Sequence, residues 1–469
     1  MINGWELPNG WQWTTLGELA EVKGGITLNK SKEIKDPVSV PYLRVANVQR
    51  GHLNLTKIKT VEIPRGRVAD FTLQSGDILF NEGGDRDKLG RGWVWNGEIE
   101  GCCHQNHVFR ARPNPGVVDS KFTSYWGNEF GRSYFEREGK QTTNLASINR
   151  TKLRALPVPL PPLPEQRRIV ARIEELFSQL DAGAAALHQA KAQLQRYRQS
   201  VLAAAVTGQL TQAWREQHHD TEPATELLGR VLKERRATWG GRGKYKEPVL
   251  PDNDAGYELP ALWTLATIDQ LQSRVQYGSS KKTNSDEDGV PVLRMGNILD
   301  GALVWGSLKY PPADHSEFPE LLLEPGDLLF NRTNSPELVG KTAVYRSQRN
   351  PCSFASYLIR VRFLGSVVSE FVAAFINSHF GRKWINSVVS QQVGQANVNG
   401  TKLRGVTLPL PPLPEQKRIV AEVDARTTAI DHLEAELDRQ ITRSNRLRQS
   451  TLAAAFSGEL LKKSAISHS

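Results

Sequence analysis

The sequence predicts an α+β fold: two mixed α/β globular domains in tandem, each followed by a long helix, with the two helices packed as an antiparallel coiled coil of pseudo-two-fold symmetry. Three observations predict it. The octapeptide PLPPLPEQ at Pro159–Gln166 returns 250 residues later at Pro409–Gln416. RQSVLAAAVTG at Arg198–Gly208 returns as RQSTLAAAFSG at Arg448–Gly458, with the same offset. Between these blocks each copy runs without a proline, so the two stretches have one length, as a rigid element whose length matters requires.

The globular part of each copy is read from short, irregular patterns. Val40–Val45, Asp77–Phe80, Gly92–Trp95 and His107–Ala111 carry β-branched and aromatic residues between glycine-rich turns, which predicts short strands. Phe122–Glu138, with Phe122, Tyr125, Trp126, Phe130 and Phe135, predicts one or two packed helices. The outline repeats: Leu43–Val48 matches Leu293–Ile298, Gly76–Asn81 matches Gly326–Asn331, and Asn149–Arg154 matches Asn399–Arg404. The division that follows is a first globular domain over 1–158, a helical region over 159–210 and a linker with a short helix over 211–254. A second globular domain over 255–408, a second helical region over 409–461 and a tail over 462–469 complete it.

Each long helix has its own signals. Pro164 fits a first helical turn, Glu165 sits at the positive end of the dipole, and Gly208 is a stop. Apolar and small residues at Ile169, Ile173, Leu176, Leu180, Gly183, Leu187, Ala190, Leu194, Tyr197 and Val201 alternate steps of four and three, a coiled-coil seam. The second copy keeps the phase at Ile419, Val423, Ile430, Leu433, Leu437 and Leu447, with polar intrusions at Arg426, Gln440, Ser444 and Thr451. Slim Gly183–Ala186 against bulky Leu433 predicts interlocking of the two helices, each a rod of roughly 66 Å. Antiparallel rods would set the globular domains at opposite ends.

Composition narrows function. The 469 residues contain 60 Lys plus Arg against 50 Asp plus Glu, a formal charge of +10, which favours an anionic partner. Cys102, Cys103 and Cys352 form neither a disulfide framework nor a zinc pattern, which fits a reducing compartment. The N-terminal MINGWELPNGWQW has no basic region before an apolar run and no apolar stretch reaches about eighteen residues, so a cytoplasmic protein is expected.

Catalytic signatures are missing. There is no GxxxxGK[ST] phosphate loop and no Asn-Pro-Pro-aromatic run of the kind that holds a flipped base. Gly83-Gly84 and Gly90-x-Gly92 read as turns. His104 and His107 beside Cys102 and Cys103 resemble a metal group, but the second copy keeps only a cysteine, Cys352, so no metal is expected. Asp85, Asp87 and Lys88 read as a solvated loop rather than a nuclease cluster.

On these repeated blocks the chain resembles the specificity subunit of type I restriction-modification systems. The likeness rests on the paired PLPPLPEQ motifs, the L-A-A-A-x-[ST]-G-x-L helix ends and the ATELLGRVLKERRATW linker, and it covers essentially the whole chain. The resemblance implies two target recognition domains, each reading one half of a bipartite double-stranded DNA site, with the helices setting half-site spacing. It implies docking of two methyltransferase subunits and, in restriction complexes, two motor subunits. S-adenosylmethionine, ATP and Mg²⁺ would belong to those partners, and this chain would be a non-catalytic reader without cofactor. Read without the resemblance, a stand-alone bipartite-site DNA-binding regulator or a coiled-coil scaffold remains open.

Residues that differ between copies are the ones able to read different half-sites. Glu82–Leu89 reads EGGDRDKL against RTNSPELV at Arg332–Val339, and Lys140–Ala146 reads KQTTNLA against SQQVGQA at Ser390–Ala396. Expected DNA contacts in the first domain are Lys30, Lys32, Arg86, Lys88, Gln141 and Asn144. Those in the second are Lys281, Lys282, Arg332, Asn334, Gln392, Gln395 and Asn397. Arg44/Arg294, Lys152/Lys402 and Arg154/Arg404 are shared between copies, so they are assigned phosphate or scaffold roles.

Overall fold

The computed structural model describes the chain apart from residues 1–5, 28–33, 86–87, 142–145, 241–243, 253–255, 257, 282, 284–287, 313–314, 393 and 463–469. It divides into two compact units, Met1–His188 with Asp438–Ser469, and Gln189–Leu437. These limits fall inside the long helices, not at the 158/159 and 408/409 junctions of the sequence division. The reason lies in the cores, which the helix ends complete.

In the first unit a four-stranded antiparallel sheet has the order Ala20–Lys23, Val108–Pro113, Ile78–Asn81, Gly92–Val94. Ile78–Asn81 is buried at every position because neighbours and packing cover both its faces, which is why it reads as a continuous apolar run. Helices Ser120–Glu129 and Gly131–Glu138 pack against this sheet, resolving the single aromatic stretch into two elements. The second unit repeats the order with Gln272–Tyr277, Leu358–Phe363, Leu328–Asn331 and Thr342–Val344.

An ionic fork stands in the same place in each sheet. Asp77 accepts from Arg112 at 2.7 and 2.8 Å, and Asp327 from Arg362 at 2.7 and 2.9 Å. Both carboxylates are fully buried, so the bidentate geometry and the backbone donors Gln74 and Glu324 offset the loss of water. This explains why the Gly-Asp-x-Leu-Phe-Asn block survives in both copies.

The long helices run Leu163–Val206 and Leu413–Phe456, 44 residues each. Gly208 and Gly458 follow them with φ of +77° and +75°, a left-handed turn that favours glycine. A Cβ on Gly208 would stand 2.6 Å from Pro260, and one on Gly458 2.7 Å from Pro8, so these glycines also admit close packing. The motif PLPPLPEQ has a physical task. Buried Gln166 accepts from the Asp119 amide at 2.8 Å and donates to Pro161 O at 2.8 Å; Gln416 does the same with Val368 and Pro411 at 2.9 Å. One amide thus locks the globular domain to the start of its helix, and the carbonyls that proline leaves unpaired are satisfied.

Each core takes in both helices. In the first unit Ile169, Ile173 and Phe177 pack with Leu452, Ala455 and Phe456, and Phe456 lies 4.9 Å from Phe122 and 5.2 Å from Trp126 between ring centroids. In the second, Ile419 and Val423 pack with Val201, Leu202, Ala205 and Val206. Within each unit the start of one helix therefore meets the end of the other, an antiparallel arrangement. Arg448 pairs with Asp181 in one unit, and Arg198 with Asp431 and Glu434 in the other.

The seam register needs correction at two matched positions, Gly183/Leu433 and Tyr197/Leu447. Ile169, Ile173, Ile419, Val423 and Ile430 are buried, and Leu176, Leu180, Leu187, Leu194 and Leu437 are half-buried. Leu433 and Leu447, expected on the seam, are 53% and 45% exposed, and Tyr197 is 47% exposed. Their neighbours Glu434, Arg448 and Arg198 turn inward instead. A pattern read for apolar residues misses this, because the inward positions are charged residues held by ion pairs.

The linker carries a helix at Ala224–Ala237, whose Leu227 and Val231 join the core of the second unit. No helix among the described residues is long and apolar enough to cross a membrane.

Candidate nucleic-acid interface

The divergent segments come together in space. In the first unit Gly83–Gly84, Ala146–Ser147 and Lys140–Gln141 form a small antiparallel sheet; in the second, Thr333–Asn334, Gln395–Asn397 and Ser390–Gln392 form its counterpart. Two loops that are some sixty residues apart in sequence thus build one surface in each unit.

In the second unit this surface is polar and aromatic. The Arg332 guanidinium lies 5.0 Å from the Tyr277 ring centroid, and its terminal nitrogens reach Ser356 O and Asn397 Oδ1 only at 3.5 Å. Its Nε is buried without a partner. Asn397 Nδ2 donates to Thr333 Oγ1 at 2.9 Å, and Asn334 Oδ1 accepts from the Ser335 amide at 2.9 Å. Tyr277, whose hydroxyl accepts from the Gly400 amide at 2.7 Å, is 42% exposed, and Tyr357 is 49% exposed. Large aromatics left half in water beside a stacked arginine are suited to an anionic or planar ligand.

In the first unit the sheet edge is bare glycine, and the side chain at the position of Arg332 is Glu82. Its Oε2 meets His107 Nδ1 at 2.5 Å. Lys88 is half-buried and pairs with Asp85.

Asn334, Gln395 and Asn397 are therefore gathered on one small sheet, with Arg332 immediately before its edge strand and Gln392 in its backbone; Gln141 occupies the matching strand of the first unit, and the side chains of Gln141 and Gln392 fall outside the described residues. Lys281 is exposed. Lys30, Lys32, Arg86, Asn144 and Lys282 also lie outside the described residues. The shared cations take part in the scaffold. Lys402 Nζ donates to Val388 O at 2.5 Å and Ser390 Oγ at 2.7 Å, and Lys152 Nζ donates to Glu138 O. Both ammonium groups cap the end of a short helix, where the dipole favours a cation. Arg44 and Arg294 open matching turns in which the backbone amide donates to Asn47 or Asn297, and Arg294 donates to Ser307 O. Sequence reading passed over Glu82, Tyr277 and Tyr357; contrast at aligned positions of the two copies is the signal that marks Glu82.

Of the histidine and cysteine group, Cys102, Cys103 and His104 are buried packing, while His107 is exposed and faces Glu82. His104 donates from Nδ1 to Val108 O at 2.7 Å, and burial pulls its pKa down to about 4, so the ring is neutral. Burial pushes the thiols of Cys102 and Cys352 up to about 12, which leaves no nucleophilic thiolate there. Among the described residues no group of three or more His, Cys, Asp or Glu is placed to hold a metal ion.

The family of the type I restriction modification DNA specificity domain matches residues 8–194 and 274–443, both copies of the repeat. The chain belongs to this family. It is 25% identical to the StySPI type I restriction enzyme specificity subunit of Salmonella potsdam, across 98% of this chain and 91% of that protein. It is also 25% identical to the EcoKI specificity subunit of Escherichia coli, across 97% and 90%. A chain from a structure on complex assembly and conformational transition of the type I R-M system shares the fold, with a TM-score of 0.68, 20% identity and coverage of 97% and 100%. The HsdS subunit of Thermoanaerobacter tengcongensis does so with a TM-score of 0.53 and 19% identity over 98% and 99%. The specificity family accounts for one scaffold appearing twice with different polar edges.

Proposed function

We propose that this chain is the DNA-reading subunit of a type I restriction-modification complex, with each compact unit reading one half of a bipartite double-stranded site. The observation that carries it is the pair of small sheets: one backbone plan, built twice, bearing Gly-Gly and Glu82 in one copy and Thr333-Asn334 and Arg332 in the other. A dimer of identical readers would bind a palindrome; two unlike readers in one chain bind a site with unlike halves. The candidate contacts are Lys30, Lys32, Arg86, Lys88, Gln141 and Asn144 in one reader, and Lys281, Lys282, Arg332, Asn334, Gln392, Gln395 and Asn397 in the other. Affinity comes from the basic balance of +10 through neutralised phosphates.

The chain itself is non-catalytic in this reading. Methyl transfer with S-adenosylmethionine, and ATP- and Mg²⁺-dependent translocation and cleavage, belong to partner subunits: two methyltransferases and, in the restriction complex, two motors. The complex works in the cytoplasm. The equal helices of 44 residues set the spacing between half-sites.

Domain exchange tests the proposal. Replacing the globular part of the second unit with that of a relative, and mapping methylated adenine in the host genome, should change one half-site and leave the other half intact. Specific sites exceed non-specific DNA by on the order of a thousandfold or more, so the old half-site should vanish from the map. A map with both halves altered would overturn modular reading.

A further inference from the structure

We propose that residues 82 and 332 form a base-reading pair of opposite sign: Arg332 reads a guanine in the half-site of its unit, and Glu82 reads the amino group of a cytosine in the other half-site. This inference rests on the bipartite reading above and adds the base identity at one position in each half.

The two residues hold one backbone position. The Glu82 amide donates to His107 O at 2.9 Å and the Arg332 amide to Tyr357 O at 3.0 Å; Glu82 O accepts from Ile148 at 2.9 Å and Arg332 O from Val398 at 2.9 Å. Four equivalent bonds leave the side chain as the difference, and that difference is a full reversal of charge. A scaffold role would not survive such a reversal unaltered, and a phosphate-binding role would not place a carboxylate at the matching site.

The side chains are held but not used up. Arg332 is braced by the Tyr277 ring, while its terminal nitrogens make only 3.5 Å contacts and Nε has no partner. A planar fork with donors to spare matches the O6 and N7 acceptors on the major-groove edge of guanine, the one base presenting two acceptors side by side. Glu82 uses Oε2 on His107, leaving Oε1 without a partner among the described residues. A carboxylate only accepts, and the cytosine N4 amino group is the donor it suits.

The test uses the full chain in complex with its methyltransferase partner. Methylation mapping of the wild-type complex comes first; absence of a bipartite motif would overturn the underlying reading and this inference with it, whereas a bipartite motif insensitive to residues 82 and 332 would overturn this inference alone. Duplexes bearing 7-deazaguanine, which lacks the N7 acceptor, are then substituted one guanine at a time. One guanine in the half-site read by the second unit should cost about tenfold or more in binding, and that cost should disappear in Arg332→Gln. Arg332→Lys, which keeps the charge but not the fork, should retain part of it and serves if the first variant folds poorly. Glu82→Gln should relax discrimination at one cytosine of the other half-site by about tenfold, with no change in the first half. The proposal fails if no guanine in that half-site is sensitive, or if the 7-deazaguanine cost persists undiminished in both Arg332 variants. It also fails if Arg332→Gln weakens all sequences equally, as loss of a phosphate contact does.

Discussion

In the second unit a cleft of about 590 Å³ opens beside the long helices, lined by Arg198, Ala374, Thr427 and Arg346; the first unit carries aromatic rings at two of the matching positions. Tyr125 stands where Ala374 is, and Phe177 where Thr427 is. The match follows from equivalent bonds on the packed helix: Ser120 and Ser369 donate to Gly76 and Gly326 carbonyls, and Asn128 and Asn377 clasp the backbone of Gly92 and Thr342. Phe177 packs edge-on against Tyr125 at 5.8 Å and lies under Arg448 at 4.1 Å; Arg448 and Arg198 make the matching ion pairs with Asp181 and Asp431, and Arg198 alone adds Glu434. The comparison teaches that the duplicated scaffold is held by its polar locks. The ionic fork and the buried glutamine recur, and the apolar packing around them has drifted.

Removing apolar packing should therefore affect the copies unequally, and this is the largest effect expected. Phe456 is fully buried against Phe122, Trp126 and Phe130, whereas its repeat partner is the smaller Val206. Phe456→Ala should destabilise the first unit by about 3–5 kcal/mol, and Val206→Ala the second by about 1.5 kcal/mol, from the volumes deleted. Urea unfolding followed by hydrogen exchange in each unit measures both. Equal losses would show that the two cores depend on the helix ends to the same degree.

The next effect separates the units by pH. His104 in the first unit is replaced by Phe354 in the second. Burial holds the folded His104 near 4 against about 6.5 when unfolded, so on acidification the unfolded chain takes up the proton first. The stability contributed by the neutral ring is complete above pH 6.5 and falls as pH drops toward 4. At pH 5 the first unit should have lost about 2 kcal/mol from this group alone. Hydrogen exchange at pH 7 and pH 5 should show the loss in the first unit, and His104→Phe should flatten it. A loss of the same size in both units would place acid sensitivity elsewhere.

Much of this was legible in the sequence, for reasons that particular residues make plain. The duplication was open to reading because Gln166 and Gln416, Asp77 and Asp327, and Gly208 and Gly458 each perform a task that tolerates one residue type, so identity persists at fixed spacing. The strands were legible where both faces are buried, as at Ile78–Asn81. The seam was legible only in part, since Arg198 and Glu434 occupy inward positions that an apolar pattern skips and Leu433 and Leu447 lie exposed beside them. The candidate interface was legible as two divergent loops. That they form one sheet, and that Tyr277 from a distant strand braces Arg332, depends on long-range pairing that no local pattern records.

The smallest effect concerns what is common to both units. Lys152 and Lys402 are shared between the copies, and their Nζ atoms cap the helices ending at Glu138 and Val388. Helix-end cations of this kind are worth about 0.3–1 kcal/mol, so Lys152→Met and Lys402→Met should each lower stability by that amount. Neither should change how steeply DNA binding by the complex falls with salt. Each lost phosphate contact lowers that slope by about 0.9 on a logarithmic scale, which a titration between 50 and 200 mM salt resolves. A slope reduced in both variants would return the pair to the DNA backbone; an unchanged slope with a stability loss in each unit leaves them as matched parts of one scaffold, and confines DNA reading to what the two copies do not share.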